Sequence, residues 1–249
     1  MKIIISPAKK MNMDTDSLAW RDLPVYLPQT EEILEKLRGM DYEALKKLWK
    51  CNDKIAAQNV ERLDHMDLRQ ALTPAILAYE GIQYQYMAPS VFSDTEYDYI
   101  QEHLRILSGF YGVLKPFDGV TPYRLEMQAK LQIDDAKDLY AYWGRALADY
   151  LAEDTDYIIN LASKEYSSTV AKHLPADVQM ITCVFGEKSG GRIVEKGTLC
   201  KMARGEMVRR MAEQNVQTPE ELKSLQLSNY AYEEALSDAE NFVYLKKNM

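Results

Sequence analysis

With 249 residues, 47% of them hydrophobic and 27% charged, the chain has the balance of a soluble folded protein with a sizeable core, which excludes collagen-like, coiled-coil and disordered classes. Thirty basic against 38 acidic side chains give a formal charge of −8, so no global positive field draws it toward nucleic acid or an anionic membrane, and any anion-binding surface has to be local. The cysteines Cys51, Cys183 and Cys200 and the histidines His65, His103 and His173 stand singly, which argues against a disulfide framework and a zinc site; no metal and no cofactor are expected.

In chain order, Lys2 to Ile5 reads as a short buried strand, and Ser6-Pro7 ends it with a capping residue and a first-turn proline. The apolar run is too short for a signal peptide or a membrane span, so the protein is expected in the cytoplasm with no membrane partner. From about 29 to 65 the pattern is helical, punctuated at Gly39 and at Cys51-Asn52-Asp53. Ala75 to Tyr79 reads as a strand before the Glu80-Gly81 turn, and Ser93-Asp94 opens a helix to about Leu104. The glycines of Leu107-Ser108-Gly109-Phe110-Tyr111-Gly112 mark a tight connection. Tyr123 to Met127 alternates apolar and charged residues, which places Arg124 and Glu126 on one face if extended.

Farther along, 138 to 152 reads as one helix, Tyr157 to Leu161 as a buried strand, and a helix follows from about Lys164. Val178 to Phe185 and Arg192 to Lys196 flank a Ser189-Gly190-Gly191 hairpin turn. Helices from about Thr198 to Gln214 and from Pro219 precede a last strand near Asn241 to Leu245. No repeat or flexible linker interrupts the chain, so residues 1–249 are expected to form a single α/β domain, with a mixed α+β arrangement left open and a helical N-terminal excursion.

Three of these strands end in small polar turns, at Ser6 to Lys9, at Ser108 to Gly112 and at Ser163 to Tyr166. In open α/β sheets such turns either merely reverse the chain or converge on an anion-binding cleft. Between Lys188 and Arg210 the basic residues Lys188, Arg192, Lys196, Lys201, Arg204, Arg209 and Arg210 face only Glu195 and Glu206, forming a positive island; Lys201 and Arg204 share a helix face. Gly205 inside that helix suggests close approach of a neighbour or a ligand. Arg124 and Glu126 form either a structural ion pair or an anion-binding arginine beside a carboxylate able to take a proton. Lys9 and Lys164 bind anions as point charges if exposed and turn catalytic only if burial lowers their pKa. Cys200 beside Lys201 is a candidate low-pKa thiol, whereas Cys183 reads as an inert core residue. The seventeen tyrosines are scattered, which favours core-edge packing over a stacking platform for bases.

Five blocks carry a resemblance over nearly the whole chain: Ile4-Ile5-Ser6-Pro7-Ala8-Lys9, Arg105 to Asp118, Pro122 to Met127, Asn160-Leu161-Ala162-Ser163-Lys164-Glu165-Tyr166, and Lys201-Met202-Ala203-Arg204-Gly205. In these blocks the sequence resembles the peroxide stress protein YaaA family. The resemblance implies a cytosolic oxidative-stress protein that limits damage from peroxide and free iron, with a positively charged cleft that binds DNA and a helix-hairpin-helix-like element, here matched by Leu107 to Gly112. The expected partner is duplex or branched DNA bound without sequence specificity through Ser6, Lys9, Lys10, Ser108, Gly109, Tyr111, Gly112, Arg124, Ser163, Lys164, Lys201 and Arg204. The alternative is an enzyme acting on a small phosphorylated or carboxylated metabolite in the same cleft, with Glu126, Asn160, Glu165 and Lys201 as its catalytic candidates. Iron held directly by carboxylates ranks last, because the histidines lack ligand-like spacing.

Overall fold

The computed structural model describes residues 1–247. Its strands are β1 (Lys2–Ile5), β2 (Lys10–Met11), β3 (Thr73–Pro74), β4 (Tyr79–Glu80), β5 (Leu104–Ser108), β6 (Gly112–Leu114), β7 (Gly119–Val120), β8 (Tyr157–Leu161), β9 (Gln179–Ser189), β10 (Arg192–Val194), β11 (Tyr230–Tyr232) and β12 (Asn241–Lys246). The helices are α1 (Leu27–Arg38), α2 (Tyr42–Trp49), α3 (Asp53–His65), α4 (Ala75–Ala78), α5 (Ile82–Met87), α6 (Asp94–His103), α7 (Leu139–Trp143), α8 (Ala146–Ala152), α9 (Lys164–Ala171), α10 (Gly197–Glu213) and α11 (Pro219–Leu222).

Eight strands form the central sheet in the order β11-β12-β9-β8-β1-β5-β6, with β10 folded back on β9. The inner pairs β12/β9, β9/β8, β8/β1 and β1/β5 are parallel, and the outer additions are antiparallel. Ile3, Ile4 and Ile5 of the middle strand are wholly buried, as expected for a strand covered by helices on both faces. The α/β assignment therefore holds, with a mostly parallel sheet at the centre of one hydrophobic core.

The helical excursion is three helices. Asp41 caps α2 by accepting from the Ala44 N–H at 2.8 Å, and Asn52 caps α3 through the Ile55 N–H at 3.0 Å, which explains why the pattern breaks where it does. A capping box of Ser93 and Glu96 starts α6. Two expectations are corrected. Ala75 to Ala78 is a turn of helix, not strand, because an apolar run of four residues carries no period that separates the two. The 138–152 helix is split into α7 and α8 at Gly144, whose φ of +49° cannot continue an α-helix.

Candidate functional site

The parallel strands end along one edge of the sheet. Neighbouring strands β1 and β8 stand in register there, with Ile5 beside Leu161, yet the chain leaves them in opposite directions, β1 feeding toward β5 and β8 toward β9. Such a reversal opens a crevice beyond the strand ends, the place where open α/β sheets hold ligands. A cavity of about 400 Å³ lies there, lined from the two turns and from the elements that close over them.

The floor is a serine clasp. Ser6 Oγ accepts from the Ser163 N–H at 2.8 Å and donates to Ser163 Oγ at 3.2 Å, and the Tyr84 hydroxyl donates to the Ser6 carbonyl at 3.0 Å. Ser163 stands at the N-cap of α9 without capping it and lines the cavity, so the uncapped first turn of the helix begins beside it. Beside the clasp, antiparallel pairing of Lys10 with Glu80 brings Lys9 and Lys10 to the rim, where Lys10 is ion-paired to Glu80.

One wall is the unpaired segment 123–127. Tyr123, Leu125 and Met127 are buried, and Arg124 and Glu126 face the cavity, as the period-two alternation requires. The segment lies so close over Gly109 that a Cβ there would come within 3.0 Å of the backbone of Leu125, Glu126 and Met127. Glu126 accepts from Lys9 Nζ at 2.8 Å and lies 3.7 Å from Arg124 Nη2, so the carboxylate is held by two cations while remaining at the cavity. Behind this wall α2 contributes Leu48, Trp49 and Lys50 to a hollow of about 10 Å³ shared with Arg124, Glu126 and Gln128. The opposite wall is Lys201 and Arg204 of α10, with Gln83 and Tyr84 of α5 next to them. At Gly205 the two helices touch: any Cβ would run into the Gln83 carbonyl oxygen, so the glycine answers to a neighbouring backbone.

Five basic side chains (Lys9, Lys10, Arg124, Lys201 and Arg204) and three acidic ones (Glu80, Glu126 and Glu165) line the cavity. The Nε atoms of Arg124 and Arg204 are buried and have no hydrogen-bond partner among the described residues. A buried donor without a partner is costly, as it also is at Arg210 outside the cavity, and at the cavity an anion can meet the remaining N–H groups of Arg124 and Arg204. Glu165 accepts from the Gln128 N–H at 3.2 Å; burial, reinforced by the nearby Glu126 charge, raises its pKa above the usual carboxylate range.

The structure thus brings Ser6, Lys9, Lys10, Arg124, Ser163, Lys201, Arg204, Glu126 and Glu165 to one cavity. It does not bring the others. Ser108, Gly109, Tyr111 and Gly112 are buried in the turn joining β5 to its antiparallel neighbour β6. Ser108 Oγ accepts from the Phe110 and Tyr111 N–H groups at 3.1 and 2.9 Å, which leaves its proton for the Tyr123 hydroxyl at 2.6 Å. Phosphate cannot reach these amides, and a strand, not a helix, follows the turn, so the helix-hairpin-helix-like reading of this segment is corrected. Asn160 is also internal: it donates to Thr182 Oγ1 at 3.2 Å and accepts from the Ala162 N–H at 2.9 Å, shaping the turn after β8. Lys164 is exposed outside the cavity lining.

The positive island is divided as well. Arg209 and Arg210 are paired with Glu213, and Lys196 with Glu187, leaving Lys201 and Arg204 to the cleft. Cys200 is buried with its thiol donating to the Phe185 carbonyl at 3.2 Å, and burial raises its pKa rather than lowering it; Cys183 is pushed up to about 12. Sequence reasoning missed Glu80, Gln83 and the three tyrosines Tyr84, Tyr123 and Tyr166 as cavity residues. Tyr123 and Tyr166 sit inside the quoted blocks, whereas Gln83 and Tyr84 belong to a six-residue helix with no signature.

The sequence model of the family described as "Peroxide stress protein YaaA" matches residues 1–236. A "UPF0246 protein" of Agathobacter rectalis is 54% identical over 247 residues, covering 99% of both chains. Another from Lachnoclostridium phytofermentans is 53% identical over 246 residues, 99% of this chain and 96% of its own. A third, from Pediococcus pentosaceus, is 54% identical over 249 residues, 100% of this chain and 99% of its own.

Proposed function

Because the chain belongs to the peroxide stress protein YaaA family, we propose that it serves the peroxide-stress response in the cytoplasm by binding DNA without reading its sequence, limiting peroxide and iron damage there. The observation that carries this reading is the convergence of Arg124 and Arg204, each with a buried unpartnered Nε, on a cavity rimmed by Lys9, Lys10 and Lys201. That is a local phosphate grip on a molecule whose net charge is −8. The described residues include no helix long and apolar enough to cross a membrane. The test is fluorescence anisotropy with duplex, single-stranded and junction DNA at two salt concentrations, beside the Lys201→Ala/Arg204→Ala variant. Salt-sensitive binding lost in the variant is expected; no binding at low salt overturns the reading.

A second reading, an enzyme acting on a small phosphorylated or carboxylated metabolite, is favoured by one observation: Glu126 and Glu165 stand inside the cleft, and the proton affinity of Glu165 is raised. A thermal-shift screen of phosphates, nucleotides and amino acids checks it, since a ligand that binds only the folded state raises the melting temperature.

A further inference from the structure

The cleft offers more than a grip on phosphate. A hollow of about 400 Å³ mixes five cations with three carboxylates, and it falls within the size range of small-ligand sites, roughly 300 to 1,000 Å³. Its uncharged lining joins small and polar residues with three aromatic ones. Tyr84, Tyr123 and Tyr166 all line it, and two of their hydroxyls are already engaged, Tyr84 with the Ser6 carbonyl and Tyr123 with Ser108 and Tyr79. The three side chains are largely buried, with Tyr123 stacked on Phe110 at 4.9 Å between ring centroids, and they border the cavity as the edge of an aromatic core, so tyrosines scattered over 80 positions of sequence meet at one place.

We propose that the cleft accepts a single nucleotide unit, its phosphate on the Arg124 and Arg204 guanidinium groups and its base among Tyr84, Tyr123 and Tyr166 with Glu126 and Glu165 facing its N–H donors. This rests on the anion-binding reading of the cleft and deepens it. Each part of the ligand answers one feature that the others leave unexplained. Two arginine forks suit phosphate. Aromatic rings take any base on its π-face. Carboxylates, repulsive to a phosphate, accept from amino and imino groups of a base edge, as carboxylates do toward cytosine N4. The unit comes either as a free nucleotide or as one nucleotide taken out of the stack of a DNA strand, where an unpaired base is the least costly to extrude.

The experiment has two arms on the full chain. In the first, calorimetry compares the four deoxynucleoside 5′-monophosphates with deoxyribose 5-phosphate; a base in the pocket makes the nucleotide bind about ten-fold tighter. In the second, a fully paired duplex is compared with the same duplex carrying one unpaired nucleotide; preference for the latter of about ten-fold identifies DNA as the source. Glu165→Gln, nearly isosteric, is expected to reorder affinity among the four bases while leaving deoxyribose 5-phosphate unchanged, which loss of fold does not produce. If the base adds nothing in either arm, the inference fails while salt-dependent DNA binding leaves the underlying reading intact. If neither phosphates nor DNA bind, both fall together.

Discussion

Ser6 Oγ takes the Ser163 N–H at 2.8 Å, joining the exits of two parallel strands 157 residues apart in sequence. Ser6→Ala leaves that amide without a partner at the edge of the cavity and removes the proton given to Ser163 Oγ. We expect a loss of about 1 to 2 kcal/mol in stability, read from urea midpoints, and weaker phosphate binding. Ser6→Thr, which keeps the hydroxyl, is expected to recover most of both.

Glu126 sits between Lys9 and Arg124 and repels any phosphate that approaches them. Glu126→Gln therefore strengthens DNA binding and steepens its salt dependence by about one counterion, because Lys9 is released from an internal partner. A log–log plot of affinity against salt for the two proteins measures this, and unchanged slopes would contradict the assignment of Lys9 to the binding rim.

The Lys201→Ala/Arg204→Ala variant moves in the opposite sense. Both side chains reach the cavity from one face of α10, and neither forms an ion pair within 4 Å among the described residues. Their removal is expected to lower the salt slope by about two and to weaken all DNA sequences alike.

Gly205→Ala forces a methyl group into the Gln83 carbonyl, a backbone atom that has nowhere to retreat without moving α5. A destabilisation of about 1 to 3 kcal/mol is expected, visible as a lower melting temperature. Ligand affinity should fall with it, since the displaced helices carry Lys201, Arg204, Gln83 and Tyr84.

Asp118 is buried, with Oδ2 accepting from the Lys115 N–H at 2.8 Å, and desolvation lifts its pKa to about 7. The folded state therefore holds this proton more tightly than the unfolded chain does. Stability contributed by the neutral form is present below the ordinary carboxylate range and is lost as pH rises toward 7. Unfolding free energies from urea titrations between pH 4 and 8 should decline across that window by up to a few kcal/mol, and Asp118→Asn should flatten the decline.

Much of this architecture is legible in the amino-acid order. Lys2–Ile5 and Tyr157–Leu161 are apolar runs closed by turn residues, and α9 and α10 carry helical spacing, so the strand ends that frame the cleft were expected where they lie. Arg124 and Glu126 share the cavity side because alternation along an extended segment does not depend on strand pairing. The turn at 108–112 misled because its glycines and serine have the composition of a phosphate-binding loop, whereas antiparallel return of β6 tucks it under the 123–127 segment. Burial of that kind depends on a tertiary neighbour and leaves no local signature. The same holds for the paired Arg209 and Arg210, neutralised by a glutamate one turn away, and for Tyr84, placed by contact between α5 and α10.

Arg124 and Glu126 act as a partition with a chamber on each side, and the rear one is closed by the indole of Trp49, whose Nε1 is buried without a partner among the described residues. A ligand that draws Arg124 forward changes what the indole meets. The N-terminal excursion is thereby placed to report on the cleft: with Trp20 and Trp143 replaced by phenylalanine, emission from Trp49 is expected to change when the cleft fills, read without any label.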